Sequence, residues 1–218
     1  MKKMMILAIG LFALTISSCT KTLTGAGAAI SETRALDAFD KIRTNGIARV
    51  QIMYGPVAQV VISGYQNLLP YYKSRVTNGE LTLGYESDYN NIRNDNIRVN
   101  IILPNISGVY INGSGEIYIR NFPNGQTLQA TINGSGNIDV YSSTFNKGIY
   151  DVNGSGDIHA STSQSNEAEA TIHGSGVIAV NCSQKLTARI FGSGTIDYYG
   201  NPAVTDVAVS GSGQVRKK

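Results

Sequence analysis

The tripeptide Gly-Ser-Gly occurs six times in the second half of this chain. It stands at Gly113-Ser114-Gly115, Gly134-Ser135-Gly136, Gly154-Ser155-Gly156, Gly174-Ser175-Gly176, Gly192-Ser193-Gly194 and Gly211-Ser212-Gly213. Successive first glycines are 21, 20, 20, 18 and 19 residues apart. Self-similarity at a period near twenty marks an array of stacked supersecondary units, each unable to bury an apolar face alone. Superimposing the repeats exposes two columns. Two residues before the first glycine stand Ile111, Ile132, Val152, Ile172, Ile190 and Val209. Two after the last stand Ile117, Ile138, Ile158, Ile178, Ile196 and Val215. Every member is β-branched and aliphatic, and the flanking residues alternate with period two, as on a pleated strand with one buried face. A third, looser column holds Ile119, Val140, Ala160, Val180 and Tyr198.

Twenty residues with two or three short strands make one coil of a parallel β-helix, each strand bonded to its copies about 4.8 Å above and below. The expected fold class is therefore all-β: a single-stranded parallel β-helix of about 20 residues per coil, right-handed by the crossover preference of parallel strands. An antiparallel sandwich would place turn signals every 8–12 residues. Here the strong signal recurs near twenty, while the other corners vary: Pro123-Asn124-Gly125, Asn146-Lys147-Gly148 and Ser165-Asn166. The repeated glycines serve a corner that needs positive φ and must stack on its own copy. On that reading valine at Gly154 is costly and asparagine is the tolerable substitute.

Before the repeats, Phe39 to Leu103 also reads as β, broken at Asn45-Gly46, Gly55-Pro56 and Ser63-Gly64. Asn67 to Arg75 is the one helical candidate, with Asn67 as its cap and Pro70 in its first turn. Val76 to Tyr85 reads as a hairpin turning at Asn78-Gly79. Residues 88–96 read as an Asn-rich loop. The expected domain plan is 1–18 signal peptide, 19–33 flexible tether, 34–103 an N-terminal β-rich capping part, and 104–218 the Gly-Ser-Gly β-helix.

The start of the chain is a targeting segment. Lys2 and Lys3 precede an apolar run, Met4 to Ile16, too short to span a bilayer. Ile16-Ser17-Ser18-Cys19 resembles a bacterial lipobox, which implies cleavage before Cys19 and its acylation, with the membrane as partner through that anchor. Residues 20–32 are small and polar and read as the tether. Gly25-Ala26-Gly27 lacks the preceding strand and following lysine of a nucleotide loop. Once the signal is removed the net charge falls from +3 to +1, which leaves no basic stripe for nucleic acid. With Cys19 acylated, Cys182 has no partner for a disulfide. It shares the inward parity of Ile178 and Val180, so it reads as a small core hydrophobe rather than a nucleophile.

With these residues on the page the chain resembles a known family. Phe39-Asp40-Lys41-Ile42, Gly46-Ile47, Val50-Gln51-Ile52, Val60-Val61-Ile62-Ser63-Gly64, Asn78-Gly79-Glu80-Leu81 and Val99-Asn100-Ile101-Ile102-Leu103-Pro104 precede the Gly-Ser-Gly-x-Ile ladder. Together, behind a lipobox, they resemble the head GIN domain proteins of Bacteroidetes, over about residues 36–215. The resemblance implies an exported β-helical domain with an adhesin role, and it brings no catalytic residues.

Surface chemistry must then lie on the outward columns. Asn112, Asn133 and Asn153 precede three successive corners and predict an amide ladder; His173, Phe191 and Ser210 continue that column. Their Asn-Gly-Ser triplets match a glycosylation sequon, read here as turn chemistry. Asp139, Asp157 and His159 follow two corners. Asp139 and His159 fall on neighbouring coils, and Asp139 and Asp157 are diagonal neighbours at roughly 7–8 Å. Two carboxyls about 6.5–9.5 Å apart suit an inverting glycosidase, so a polysaccharide-active enzyme is the alternative to a non-enzymatic binding or scaffold module. No cofactor or metal is expected. His173 lies across the corner from Asp139, Asp157 and His159. The residue after each corner reads Glu116, Asn137, Asp157, Val177, Thr195, Gln214, unlike a calcium repeat. Twelve tyrosines and no tryptophan offer faces for a glycan or protein ligand. The Val207–Val215 end predicts cover by the tail or by a second subunit, since a solenoid must guard its ends.

Overall fold

The computed structural model describes residues 21–89 and 91–218. The signal segment and Cys19 lie outside the described residues. In the first half the strands are β1 Thr22–Thr24, β2 Ala29–Thr33, β3 Lys41–Gly46, β4 Arg49–Tyr54, β5 Gln59–Tyr65, β6 Tyr72–Thr77, β7 Glu80–Tyr85, β8 Asn91–Arg93 and β9 Arg98–Leu103. In the second half they are β10 Gly108–Gly113, β11 Glu116–Arg120, β12 Gly125–Gly134, β13 Asn137–Gly154, β14 Asp157–Gly174, β15 Val177–Gly192, β16 Thr195–Tyr199, β17 Val204–Gly211 and β18 Gln214–Lys217.

These strands stack as a parallel β-solenoid of about six turns, roughly 20 residues per turn. One wall, before the glycine corner, stacks β7, β3, β10, β12, the end of β13, the end of β14, the end of β15 and β17. The wall after the corner stacks β9, β4, β11, the starts of β13, β14 and β15, then β16 and β18. A third, shorter wall pairs Gly125 with Phe145, Phe145 with Ser165, and Ser165 with Cys182. The register is the one the repeat columns require: Ile111, Ile132, Val152, Ile172 and Ile190 lie in one buried file, and Ile117, Ile138, Ile158, Ile178 and Ile196 in another. Cys182 is buried in the same core.

The corner glycines differ in role from one another. At Gly154 φ is +136°, and a Cβ would lie 2.3 Å from the Gly134 carbonyl oxygen one coil below. Asparagine tolerates φ near +57°, not this value, and it too carries a Cβ; the expected asparagine substitute is therefore excluded. Gly156 is not at positive φ, but its Cβ would lie 2.4 Å from the Gly136 carbonyl oxygen. Both glycines let backbone stack on backbone, so the ladder continues around the corner: Ser155 N–H donates to Gly134 O at 3.0 Å and Asp157 N–H to Gly136 O at 3.1 Å.

Three further expectations are corrected. First, the solenoid does not begin at residue 104. β3 and β4 already stand in register beneath β10 and β11, with Gly46 under Gly113. This corner escapes the repeat search because Ile47 and Ala48 replace the serine and second glycine. The chain then leaves the stack, builds a partial coil from β7 and β9 under β3 and β4, and flanks it with antiparallel strands: β6 on β7, β5 on β9 and β2 on β5. That arrangement ends the parallel edge, as sheet proteins do to prevent edge-to-edge pairing.

Second, the helix expected over residues 67–75 shrinks to a 3-10 turn, Leu69–Tyr71. Tyr72 to Thr77 pairs with β7 instead, because the Asn78-Gly79 turn, with φ of +51° and +75°, closes a tight hairpin. Asn67 caps nothing; its amide donates to Thr24 O and accepts from Ala26 N–H.

Third, residues 21–33 are not a free tether. β1 pairs with β8, inside the stretch read as an Asn-rich loop, and β2 with β5. Leu23 packs on the core, and backbone pairing organises polar sequence that no hydrophobic pattern announces.

Candidate ligand-binding surface

On the outward faces of the two long walls several charges are already partnered. Arg43 pairs with Glu80, Arg49 with Glu116, Lys147 with Glu169, and Arg216 with Asp197, all between neighbouring strands. Arg43 also lies over the Tyr110 ring and Arg120 over Tyr141, each 4.5 Å from the ring centroid. Such columns are spent on one another, and they stabilise the stack modestly.

The residues singled out for chemistry fall on these open faces. His159 Nδ1 lies 3.3 Å from Asp139 Oδ1, on the adjacent coil as expected. Asp157 Oδ1 accepts the Val177 backbone N–H at 2.8 Å, which fixes the start of the next coil. His173 lies on the far wall, stacked on Phe191 at 4.7 Å between ring centroids. The structure brings Asp139 and His159 together and leaves His173 apart. Among the described residues no group of three or more His, Cys, Asp or Glu side chains could hold a metal ion. A carboxyl that periodicity does not single out, Asp151, is half-buried on the wall before the corner, and burial, then the charge of Glu169, pushes its pKa up. None of Asp139, Asp151, Asp157 and His159 lines the concavities described below.

The asparagine column forms the predicted ladder and extends it by one rung. Asn153 Nδ2 donates to Asn133 Oδ1 at 2.9 Å, Asn133 to Asn112 at 3.0 Å, and Asn112 to Asn45 at 2.9 Å.

The third wall is different. Its variable corners enclose a trough made of two adjoining concavities, about 330 Å³ and about 530 Å³, which share Asn124, Gly125, Gln126 and Phe145. Its rim is amide and hydroxyl: Asn124, Gln126, Thr144, Asn146, Gln164 and Asn166. These groups are ordered against each other. Asn166 Nδ2 donates to Asn146 Oδ1 at 2.9 Å, and Asn124 N–H to Thr144 Oγ1 at 2.8 Å. Gly125 makes room for the floor, because a Cβ there would lie 2.3 Å from the Phe145 ring. Asp40, beside Pro104 and Asn105, is among the described residues the one charged residue lining either concavity.

The second corner of the coil positions the trough. Ser142 adopts φ of +48°, and the buried hydroxyls of Ser143 and Ser163 take over backbone bonding there: Phe122 N–H donates to Ser143 Oγ at 3.1 Å, and Ser163 Oγ donates to Val140 O at 3.0 Å. The recurrent serines Ser142-Ser143 and Ser161 to Ser163 were the available signal. Without a fixed repeat spacing they read as loop.

Cross-strand charge pairs, an amide ladder and an amide-rimmed trough together describe this surface. The family model described as "Putative auto-transporter adhesin, head GIN domain" matches residues 38–202. A crystal structure titled as a putative adhesin from Bacteroides fragilis superposes with a TM-score of 0.75 at 20% identity, covering 90% of this chain and 100% of that one. A protein from Parabacteroides distasonis titled as a putative lipid binding protein gives 0.58 at 22%, covering 91% and 100%. One from Parabacteroides merdae, titled as a putative adhesin, gives 0.54 at 20%, covering 90% and 99%. At these identities the likeness is one of fold. No functionally curated protein matches the chain.

Proposed function

The chain belongs to the head GIN domain family of auto-transporter-adhesin-like proteins, and on that premise we propose that it is a non-enzymatic, envelope-anchored binding module whose third-wall trough takes a neutral glycan. The observation that carries this reading is the contrast in chemistry between walls. Amides offer donors and acceptors together, which matches sugar hydroxyls, and apart from Asp40 the lining residues carry no charge that a ligand would have to desolvate. Many charges on the other walls, such as Arg43 with Glu80 and Arg49 with Glu116, are paired with each other and have less to offer a ligand. Lipidation at Cys19 and export to the outer envelope belong to the same proposal; their support is the lipobox-like Ile16-Ser17-Ser18-Cys19 and the family's adhesin character.

The test is a binding screen of the soluble Thr20–Lys218 chain against neutral and acidic envelope and host glycans. Neutral glycans are expected to bind, and Asn146→Asp or Asn166→Asp, which add charge with little change of shape, to abolish binding. Asp139→Asn and Asp157→Asn should leave it intact. Glycan cleavage lost in Asp157→Asn would overturn the reading in favour of the enzyme.

A second reading concerns assembly. In β17 every residue is exposed, including Val204 at 53%, Val207 at 47% and Val209 at 42%. The tail does not cover this end, because Gln214–Lys217 is itself a rung on β16. A second copy of the chain is the proposed cover, and a strictly monomeric species in light scattering would refute it.

A further inference from the structure

From the way the first described residues enter the fold, we infer that the N-terminal cap of the solenoid is a membrane-contact surface, with Tyr71, Tyr89, Lys21 and Lys73 at the headgroup boundary. The inference rests on the lipid-anchor reading of Cys19. Lys21 N–H donates to Asp88 O, Gly25 N–H donates to Arg93 O at 2.8 Å, and β1 pairs residue by residue with β8. Asn67 and Asn94 stitch the same segment through Thr24 O and Gly25 O. Gly25 is buried, with a Cβ there only 2.2 Å from Asn94 O. The chain is thus bound into the cap from Lys21 onward. Only Thr20 separates it from Cys19, and the two residue steps give a covalent reach of about 7 Å. An acyl chain on Cys19 would have its glycerol at the bilayer surface, so the residues around Lys21 must lie against that surface. A free tether of residues 19–33 would have imposed no such constraint.

The surface at this point has the composition of a bilayer interface. The Tyr71 and Tyr89 rings stand 4.7 Å apart, and Lys21 Nζ lies 5.9 Å from the Tyr89 centroid. Lys21 pairs with Asp88 and Lys73 with Glu86. Tyrosine rings with a polar tip and lysines with long stems partition to the headgroup level. Because both lysines have carboxylate partners, the contact is held by the anchor and the rings rather than by net charge. β9 and β18 are seven rungs apart in the stack, about 34 Å at about 4.8 Å per rung. The exposed end at Val204–Gly211 is then displayed away from the bilayer.

The test uses the full chain, processed in cells and reconstituted into phosphatidylcholine vesicles. An environment-sensitive fluorophore is placed through Ser87→Cys near Tyr89 and, separately, through Ser210→Cys at the far end. The intact mass of the mature protein reports lipidation independently. On a lipidated chain the probe at 87 is expected to shift to the blue relative to the soluble Thr20–Lys218 form and to be quenched severalfold more by a shallow nitroxide lipid than the probe at 210. A lipidated chain whose probe at 87 matches the soluble form would overturn the contact while leaving the anchor standing. An unlipidated mature chain would overturn both. A lipidated Tyr71→Ser/Tyr89→Ser variant should lose most of the shift, and retention of the full shift would remove these rings from the contact.

Discussion

The carbonyl oxygen of Gly134 lies 2.3 Å from the place a Cβ on Gly154 would occupy, with Gly154 at φ +136°. Two independent penalties therefore meet at one residue. Gly154→Ala is expected to destabilise the domain by at least about 2 kcal/mol, combining positive-φ strain with displacement of the coil below. Gly156→Ala, where only the contact operates, should cost less. Urea midpoints for the two variants decide this; equal costs would mean that contact alone matters.

The asparagine ladder predicts a graded series. Asn133 makes two amide bonds, to Asn112 and from Asn153, whereas Asn153 makes one within the ladder. Each exposed bond contributes about 0.5–1 kcal/mol, so Asn133→Ala should lose roughly twice what Asn153→Ala loses. A double-mutant cycle between Asn112 and Asn133 should give a coupling of the same order as one bond, and zero coupling would show that the ladder is only a consequence of stacking.

Asp197 couples stability to acid. The bidentate Arg216 guanidinium, at 2.7 and 2.9 Å, lowers its pKa against a smaller opposing effect of burial. A lowered folded pKa means stability that is present above the unfolded carboxylate value, near about 3.9, and is lost as pH falls through the folded value. Arg216 is solvent-accessible, so the contribution is small and weakens with salt. Arg216→Ala should differ from the wild type at pH 7 in low salt and converge with it near pH 2; a gap unchanged at acid pH would assign the loss to packing.

Cys182 should be silent in the folded protein. Burial pushes its thiol up to about 11. A raised folded pKa means stability that is complete below the unfolded thiol value, near about 8.5, and is lost as pH rises towards 11. Alkylation at pH 8 is expected only through unfolding, at a rate that tracks urea concentration. Rapid modification without denaturant would show that the third wall opens locally.

The walls were legible because they repeat. Ile132, Val152 and Ile172 announce a buried file by spacing alone, and the glycines announce the corner between the walls. The trough was legible only as a place: Pro123-Asn124-Gly125, Asn146-Lys147-Gly148 and Ser165-Asn166 vary where the rest recurs. That Gly125 opens its floor beneath Phe145 depends on which coil lies over which. The acids illustrate the converse. Asp139 and His159 are adjacent as their register demands, yet register says nothing of whether a groove surrounds them, and the concavities described above lie elsewhere.

Period and parity along the chain determined the all-β class, the length of a coil, the inward files and the amide ladder, because a strand's side chains alternate and a stacked repeat aligns like with like. Only the tertiary structure decided where the stack begins, how its first edge is closed and what becomes of residues 21–33. Those features arise from backbone pairing between segments distant in sequence, such as Gly46 beneath Gly113 and Thr22 beside Asn91. Hydrogen bonds between main chains carry no side-chain signature by which to find them in advance.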